Sequence, residues 1–89
     1  MKVILDGKDI ENREMVHIYL KERLGLPEYY GENLDALWDI LSVASESISI
    51  ELRNEEKLID NLGHYGRSLL QVFKDLTHEN TNIEFTIPE

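Results

Sequence analysis

The sequence predicts an α/β domain: a three-stranded parallel sheet packed with about four helices, spanning residues 1–89 as one layered unit. Three observations support this. Three short runs with strand patterning are separated by two stretches of helical periodicity, which calls for helical crossovers and therefore parallel strands. The helical stretches begin or end on residue types that start and stop helices. A chain of 89 residues buries roughly 60–65% of its unfolded surface, which suits one small core.

Lys2 to Leu5 is a short apolar run closed by the turn pair Asp6-Gly7. It is apolar on consecutive residues, as the central strand of a parallel sheet would be. Asn12 then caps a helix whose apolar stripe is Val16, Tyr19, Leu20 and Leu24. Gly25 supplies its left-handed stop, followed by Leu26 and Pro27. Residues 28–32 form a loop that Tyr30-Gly31 can bend.

Asn33 caps the second helix, expected to run to about Ala44, with Leu34, Leu37, Ile40 and Leu41 on its inner side. Ser47 to Leu52 alternates and reads as the second strand. Asn54 caps a short helix ending at Gly63. Tyr65 to Glu79 is the longest helix, with Leu69, Val72, Phe73 and Leu76 inward and Asn80 as its stop. Ile83, Phe85 and Ile87 alternate in a last strand, ended by Pro88.

Composition narrows the function. Eighteen acidic against nine basic residues give a formal charge of −9. That argues against nucleic acid or an anionic membrane as partner, because phosphate neutralisation needs clustered Lys and Arg. It favours a cationic partner met quickly and in a salt-sensitive way. The alternative is acidity for solubility alone. Between Leu24 and Leu52 lie six acidic residues and no basic one. There is no cysteine, so no disulfide or thiolate metal site is possible. The first apolar run is too short for a signal peptide or membrane span, so a soluble, cytoplasmic protein is expected.

Catalytic signatures are missing. The sequence holds no P-loop, GxGxxG, GxSxG or HExxH motif. His17, His64 and His78 have no neighbour at metal-ligand spacing and read as ordinary histidines. Asp35 and Asp39 sit four apart and would meet on one helix face, where they could pair as acid and base or hold a hard cation. A general acid needs burial and calcium needs a ligand-rich loop, and neither is visible. No enzyme activity, cofactor or metal is therefore expected.

A recognition surface is the remaining candidate. Like charges at i, i+4 weaken a helix by roughly 0.2–0.5 kcal/mol, and no Lys or Arg is near enough in sequence to offset Asp35 and Asp39. Tyr29 and Trp38 would rim these carboxylates with stiff amphipathic rings of the type enriched at binding hot spots. Such a surface imitates a short run of nucleic acid, with negative groups for the backbone and flat rings for the bases. Its target would be a basic phosphate-binding cleft. The opposing reading makes Trp38 and the tyrosines core residues and the aspartates an ordinary solvated face.

The segment LPEYYGENLDALWD at 26–39 resembles the signature of the barstar family, intracellular inhibitors of barnase-type secreted ribonucleases. SLLQVF at 68–73 and the alternating final strand fall in matching order. The resemblance implies a three-stranded parallel sheet packed with helices, and a second helix and preceding loop that plug a ribonuclease active site in a 1:1 complex. It implies that Asp39 enters the phosphate site and meets the enzyme's arginine and catalytic histidine. Asp35 would pair with another arginine, and Tyr29 would pack on that histidine. Gly31, Asn33 and Trp38 match supporting contacts. Ser42 stands where a threonine is usual. Asp75 stands where a glutamate reaches a peripheral basic residue. The chain departs from the family in carrying Val43-Ala44 in place of a Gly-Trp pair. The expectation is an inhibitor, monomeric when free, of some guanyl-preferring secreted ribonuclease. The alternative is an immunity or regulatory module binding another basic protein.

Overall fold

The computed structural model describes residues 1–88. Strand β1 spans Lys2–Asp6 and runs into a single 3-10 turn at Gly7–Asp9. Helix α1 (Arg13–Leu24) and helix α2 (Leu34–Leu41) follow, then β2 (Ile48–Arg53), α3 (Glu55–Leu62), α4 (His64–Glu79) and β3 (Ile83–Thr86). The three strands are parallel and lie in the order β1-β2-β3. The predicted α/β class is thus the observed one.

The strand order corrects one expectation. The central strand is β2, and β1 lies at an edge. The consecutive apolar residues of β1 reflect no double-sided burial: Val3 and Leu5 point into the core, while Ile4 is exposed. Register places Val3 beside Ile50, Leu5 beside Leu52, and Ile48 and Ile50 beside Ile83 and Phe85. These side chains share one face because strand residues alternate sides. The helices cover that face. The other face carries Lys2, Ile4, Glu84 and Thr86, all exposed. Burying a Leu or Ile stabilises by about 1.5–3 kcal/mol relative to leaving it exposed. The sheet's inner residues join Leu20, Leu37, Leu58, Leu69, Phe73 and Leu76 in one core.

Helix α1 starts and stops where its sequence says. Asn12 Oδ1 accepts from the Met15 backbone N–H, and Gly25 takes the left-handed conformation at φ 63°. Asn54 behaves differently from expectation. It precedes α3 in a left-handed conformation (φ 57°), and its side chain caps nothing in that helix. Its amide instead donates to Asp6 Oδ1 at 2.7 Å. The Lys8 backbone N–H, with help from Asn54, holds the Asp6 carboxyl below the ordinary carboxylate value. The chain crosses Gly7 closely at this point: a Cβ there would lie 2.2 Å from the Asn54 carbonyl oxygen. At the far end, β3 stops at Thr86, so Ile87 lies beyond the strand.

Helix α2 is shorter than its pattern suggests. It ends at Leu41, and Ser42 to Ala44 form a turn outside it rather than a continuation. The cause lies far away in sequence. Asn80 Nδ2 donates to the Leu41 and Ala44 carbonyls at 2.9 Å each, and Asn82 Nδ2 donates to those of Ala44 and Ser45. Side-chain amides thus satisfy carbonyls that a further helical turn would have used.

Candidate functional site

The loop before α2 is built from local hydrogen bonds. The Tyr30 N–H donates to the Pro27 carbonyl at 2.9 Å and closes a turn. The bend predicted at Tyr30-Gly31 is sharpest one residue later, where Glu32 has φ 54°. A non-glycine residue in that region costs about 1 kcal/mol, which surrounding structure must hold in place. Asn33 does so. Its Oδ1 accepts from the Ala36 N–H at 2.7 Å and its Nδ2 donates to the Gly31 carbonyl at 3.2 Å. One side chain thereby starts α2 and fixes the chain entering it.

Asp35 and Asp39 project from α2 into solvent, opposite the buried Leu37 and Leu41. Among the described residues the side-chain ion pairs are Lys21–Glu28 and Arg53–Glu51, so neither aspartate is neutralised within the chain. Asp35 lies in the first helical turn, where the helix dipole favours a carboxylate. Because the helix ends at Leu41, Asp39 lies in its last turn, where the dipole opposes a negative charge. That turn carries no basic residue.

The aromatic residues divide between the two readings left open by sequence. Tyr29 is 83% exposed, whereas Tyr30 is 5% exposed and belongs to the core. Trp38 is half-buried, packed against the core from the edge of the helix. Ser42 is half-buried at the C-terminal end of α2, and Val43 beside it is 79% exposed. Gly31, Asn33, Asp35 and Asp39 are exposed on the same loop and helix as Tyr29 and Trp38. Asp75 stands apart on α4, the helix packed against α2. It is exposed, and Gln71 Nε2 donates to its carboxylate at 2.8 Å. Among the described residues no hydrogen bond joins it to the other seven.

Sequence reasoning missed the group that anchors this loop. His17 is not an ordinary surface histidine: it is 5% exposed, in line with the buried stripe of α1. Its Nδ1 meets the Tyr30 hydroxyl and its Nε2 the Tyr65 hydroxyl, each at 2.5 Å. A neutral imidazole has one donor and one acceptor nitrogen, and a phenol can serve either. The triad ties α1, the loop and α4 together. The Tyr30 hydroxyl also donates to the Asn33 carbonyl at 3.4 Å, so the anchor reaches the start of α2. Burial lowers the His17 pKa, with Glu32 opposing and Arg13 adding to the shift. Burial also raises that of Tyr30, so its hydroxyl stays protonated. The available signal was a histidine one position from Val16 on the apolar side of α1.

Among the described residues no cluster of three or more His, Asp or Glu side chains could hold a metal ion, and no helix is long and apolar enough to cross a membrane. The arrangement presents two uncompensated carboxylates on a helix whose entry is firmly held, with one exposed ring on the preceding loop and one half-buried ring on the helix itself.

The chain is similar to a known family and to a known protein. The family model described as "Barstar (barnase inhibitor)" matches residues 1–88. A protein of Bacillus subtilis (strain 168), described as "Putative ribonuclease inhibitor YrdF", is 42% identical over 79 residues. That match covers 88% of this chain and 87% of the relative.

Proposed function

We propose, from the premise that this chain belongs to the barstar family, that it inhibits a ribonuclease by covering its active site with α2 and the loop before it. The relative's description supports ribonuclease inhibition in general. The finer reading is that the target is a basic, secreted, guanyl-preferring ribonuclease bound 1:1 by a chain that is monomeric when free and acts in the cytoplasm. One observation carries this reading: Asp35 and Asp39 stand exposed and unpaired on one helix face. A folded chain that leaves two carboxylates four residues apart without a cation forgoes stability it could have had.

The chemistry follows from charge and shape. A ribonuclease binds RNA phosphate with Arg and Lys. A carboxylate offers the same groups two oxygens at the geometry a guanidinium prefers. Asp39 would take the central phosphate position and Asp35 a neighbouring arginine. Tyr29 would lie over the catalytic histidine, and Trp38 would close the rim. With water excluded, each charge pair strengthens because the local dielectric falls. Gly31 and Asn33 would hold the loop at the right approach, Ser42 would add a hydroxyl contact, and Asp75 would reach a peripheral basic residue. Nothing is cleaved: the inhibitor occupies the groove and the substrate cannot enter.

The test is a titration of the purified chain into guanyl-preferring microbial ribonucleases, read as residual RNA cleavage. Loss of activity at one equivalent supports the reading. Full activity in stoichiometric excess across several such enzymes overturns it and leaves a module for some other basic protein.

A further inference from the structure

The His17 triad has a direction, and its hydrogens define it. The Tyr30 hydroxyl carries one hydrogen, which it donates to the Asn33 carbonyl at 3.4 Å. That oxygen must then accept in its contact with His17 Nδ1, so Nδ1 bears the imidazole hydrogen. Burial keeps the ring neutral above its ordinary pKa, which leaves Nε2 bare, and the Tyr65 hydroxyl donates to it. All three hydrogens are used inside the protein in this order. In the reverse order Tyr30 donates to Nδ1 and Nε2 donates to Tyr65. The Asn33 carbonyl then loses the Tyr30 donor, and among the described residues the Tyr65 hydrogen finds no acceptor.

Charge favours the same order. The Arg13 guanidinium lies 4.2 Å over the Tyr65 ring, so a cation stands on the Nε2 side of the histidine. A bare ring nitrogen is the negative end of neutral imidazole and suits that side, whereas an N–H there would face like charge. Glu14 and Glu32 line the same cleft as Arg13, but both are exposed, and among the described residues neither hydrogen-bonds to the triad.

We propose that Tyr65 is a positioning residue for the loop that meets the ribonuclease: it holds His17 in the tautomer with hydrogen on Nδ1, and that hydrogen turns the Tyr30 hydroxyl toward the Asn33 carbonyl at the start of α2. The inference rests on the ribonuclease-inhibitor reading above. Tyr65 lies on α4 and is only half-buried, yet it acts on the loop through two further groups in line. Linked hydrogen bonds polarise one another, so the first donor strengthens the last bond. Without it the ring is free to take the other tautomer, the Tyr30 hydroxyl turns to Nδ1, and the entry of α2 loses a hold from beneath. That hold counts because Glu32 sits in a left-handed conformation between Tyr30 and Asn33. A loop ordered before docking loses less entropy on binding.

Two measurements test this. Nitrogen-15 NMR of the His17 ring in the free chain, at about pH 7.5, reads the tautomer without any ribonuclease. The proposal expects a pyrrole-type Nδ1 and a pyridine-type Nε2 in wild type, and a mixture in Tyr65→Phe. The opposite tautomer in wild type overturns it. The second measurement is the dissociation rate from a ribonuclease that wild type inhibits, for Tyr65→Phe, Tyr30→Phe and the double variant. Tyr65→Phe keeps the ring under Arg13 and removes only the hydroxyl. It should dissociate about five-fold faster, with the association rate unchanged. Added to Tyr30→Phe, the same change should have less than about a two-fold effect, because the relay is already broken. Effects that multiply in the double variant, or Tyr65→Phe within about two-fold of wild type, overturn the positioning role and leave the inhibitor reading standing. A wild-type chain that inhibits nothing overturns that reading and the positioning role with it, whatever the NMR signal.

Discussion

His17 Nδ1 lies 2.5 Å from the Tyr30 hydroxyl, and this contact joins the buried side of α1 to the loop that enters α2. The two residues are thirteen apart in sequence, and Tyr65 closes the triad from α4, forty-eight residues from His17. A surface loop whose neighbouring tyrosine, Tyr29, stands in water is thus fastened from beneath by a buried histidine.

Stability should therefore depend on the charge of His17. Burial holds its pKa below the ordinary value of 6.5. Above that value neither folded nor unfolded chain carries the proton, and the triad contributes fully. As pH falls below it, the unfolded chain takes up the proton first. Stability then declines with falling pH, by at most about 1.4 kcal/mol per pH unit, until the folded imidazole is protonated as well. Urea unfolding between about pH 7.5 and about pH 5.5 should show this decline in wild type and a flatter profile in His17→Gln. An identical slope in both would show that His17 does not couple folding to protons.

Asn80 is the second long-range anchor. Asn80→Ala would remove one of the two donors to each of the Leu41 and Ala44 carbonyls, leaving the Ala44 N–H on the first and Asn82 Nδ2 on the second, and would loosen the turn that carries Val43. Each lost hydrogen bond contributes about 0.5–1.5 kcal/mol where the acceptor keeps another donor, so a loss of roughly 1–3 kcal/mol is expected by chemical denaturation. A loss below about 0.5 kcal/mol would mean that water replaces the amide without cost.

The exposed surface should show the opposite behaviour. Asp39→Ala removes a carboxylate that the helix dipole disfavours and that lies one turn from Asp35. It should raise stability by about 0.5 kcal/mol. Tyr29→Ala should change stability by less than about 0.5 kcal/mol, because the ring is 83% exposed. A drop above about 1 kcal/mol for Asp39→Ala, measured by thermal or urea unfolding, would show that the carboxylate serves the fold.

Association with the ribonuclease should be fast at low salt and slow about ten-fold or more as salt rises to several tenths molar, because exposed charges are screened. Asp35→Asn should flatten that dependence in stopped-flow measurements. Asp75→Asn should change it modestly, as an outlying charge does. Association rates independent of salt would contradict steering by the acidic face.

Much of this fold was legible because its local signals agree with its packing. Asn12, Gly25 and Asn33 mark helix ends by their own backbone chemistry, and Ile48, Ile50 and Leu52 mark a strand by alternation. What was illegible depends on distant partners. The early end of α2 follows from Asn80 and Asn82, which lie more than thirty residues downstream. Asn54 looks like a cap but its amide is engaged by Asp6, forty-eight residues away. The edge position of β1 is a matter of sheet order, which apolar content alone does not determine. At the site, the i, i+4 spacing of Asp35 and Asp39 foretold a shared exposed face. The opposite fates of Tyr29 and Tyr30 were hidden, since adjacent identical residues give no clue to which one faces inward.

The most direct test compares the dissociation constants of wild type and Asp39→Ala for a ribonuclease that wild type inhibits, alongside the melting temperature of each chain. The account predicts a loss well over ~2 kcal/mol in binding, with a melting temperature equal to or above that of wild type. A binding loss of only a few tenths of a kcal/mol would contradict it, as would a loss that merely tracks unfolding of the variant.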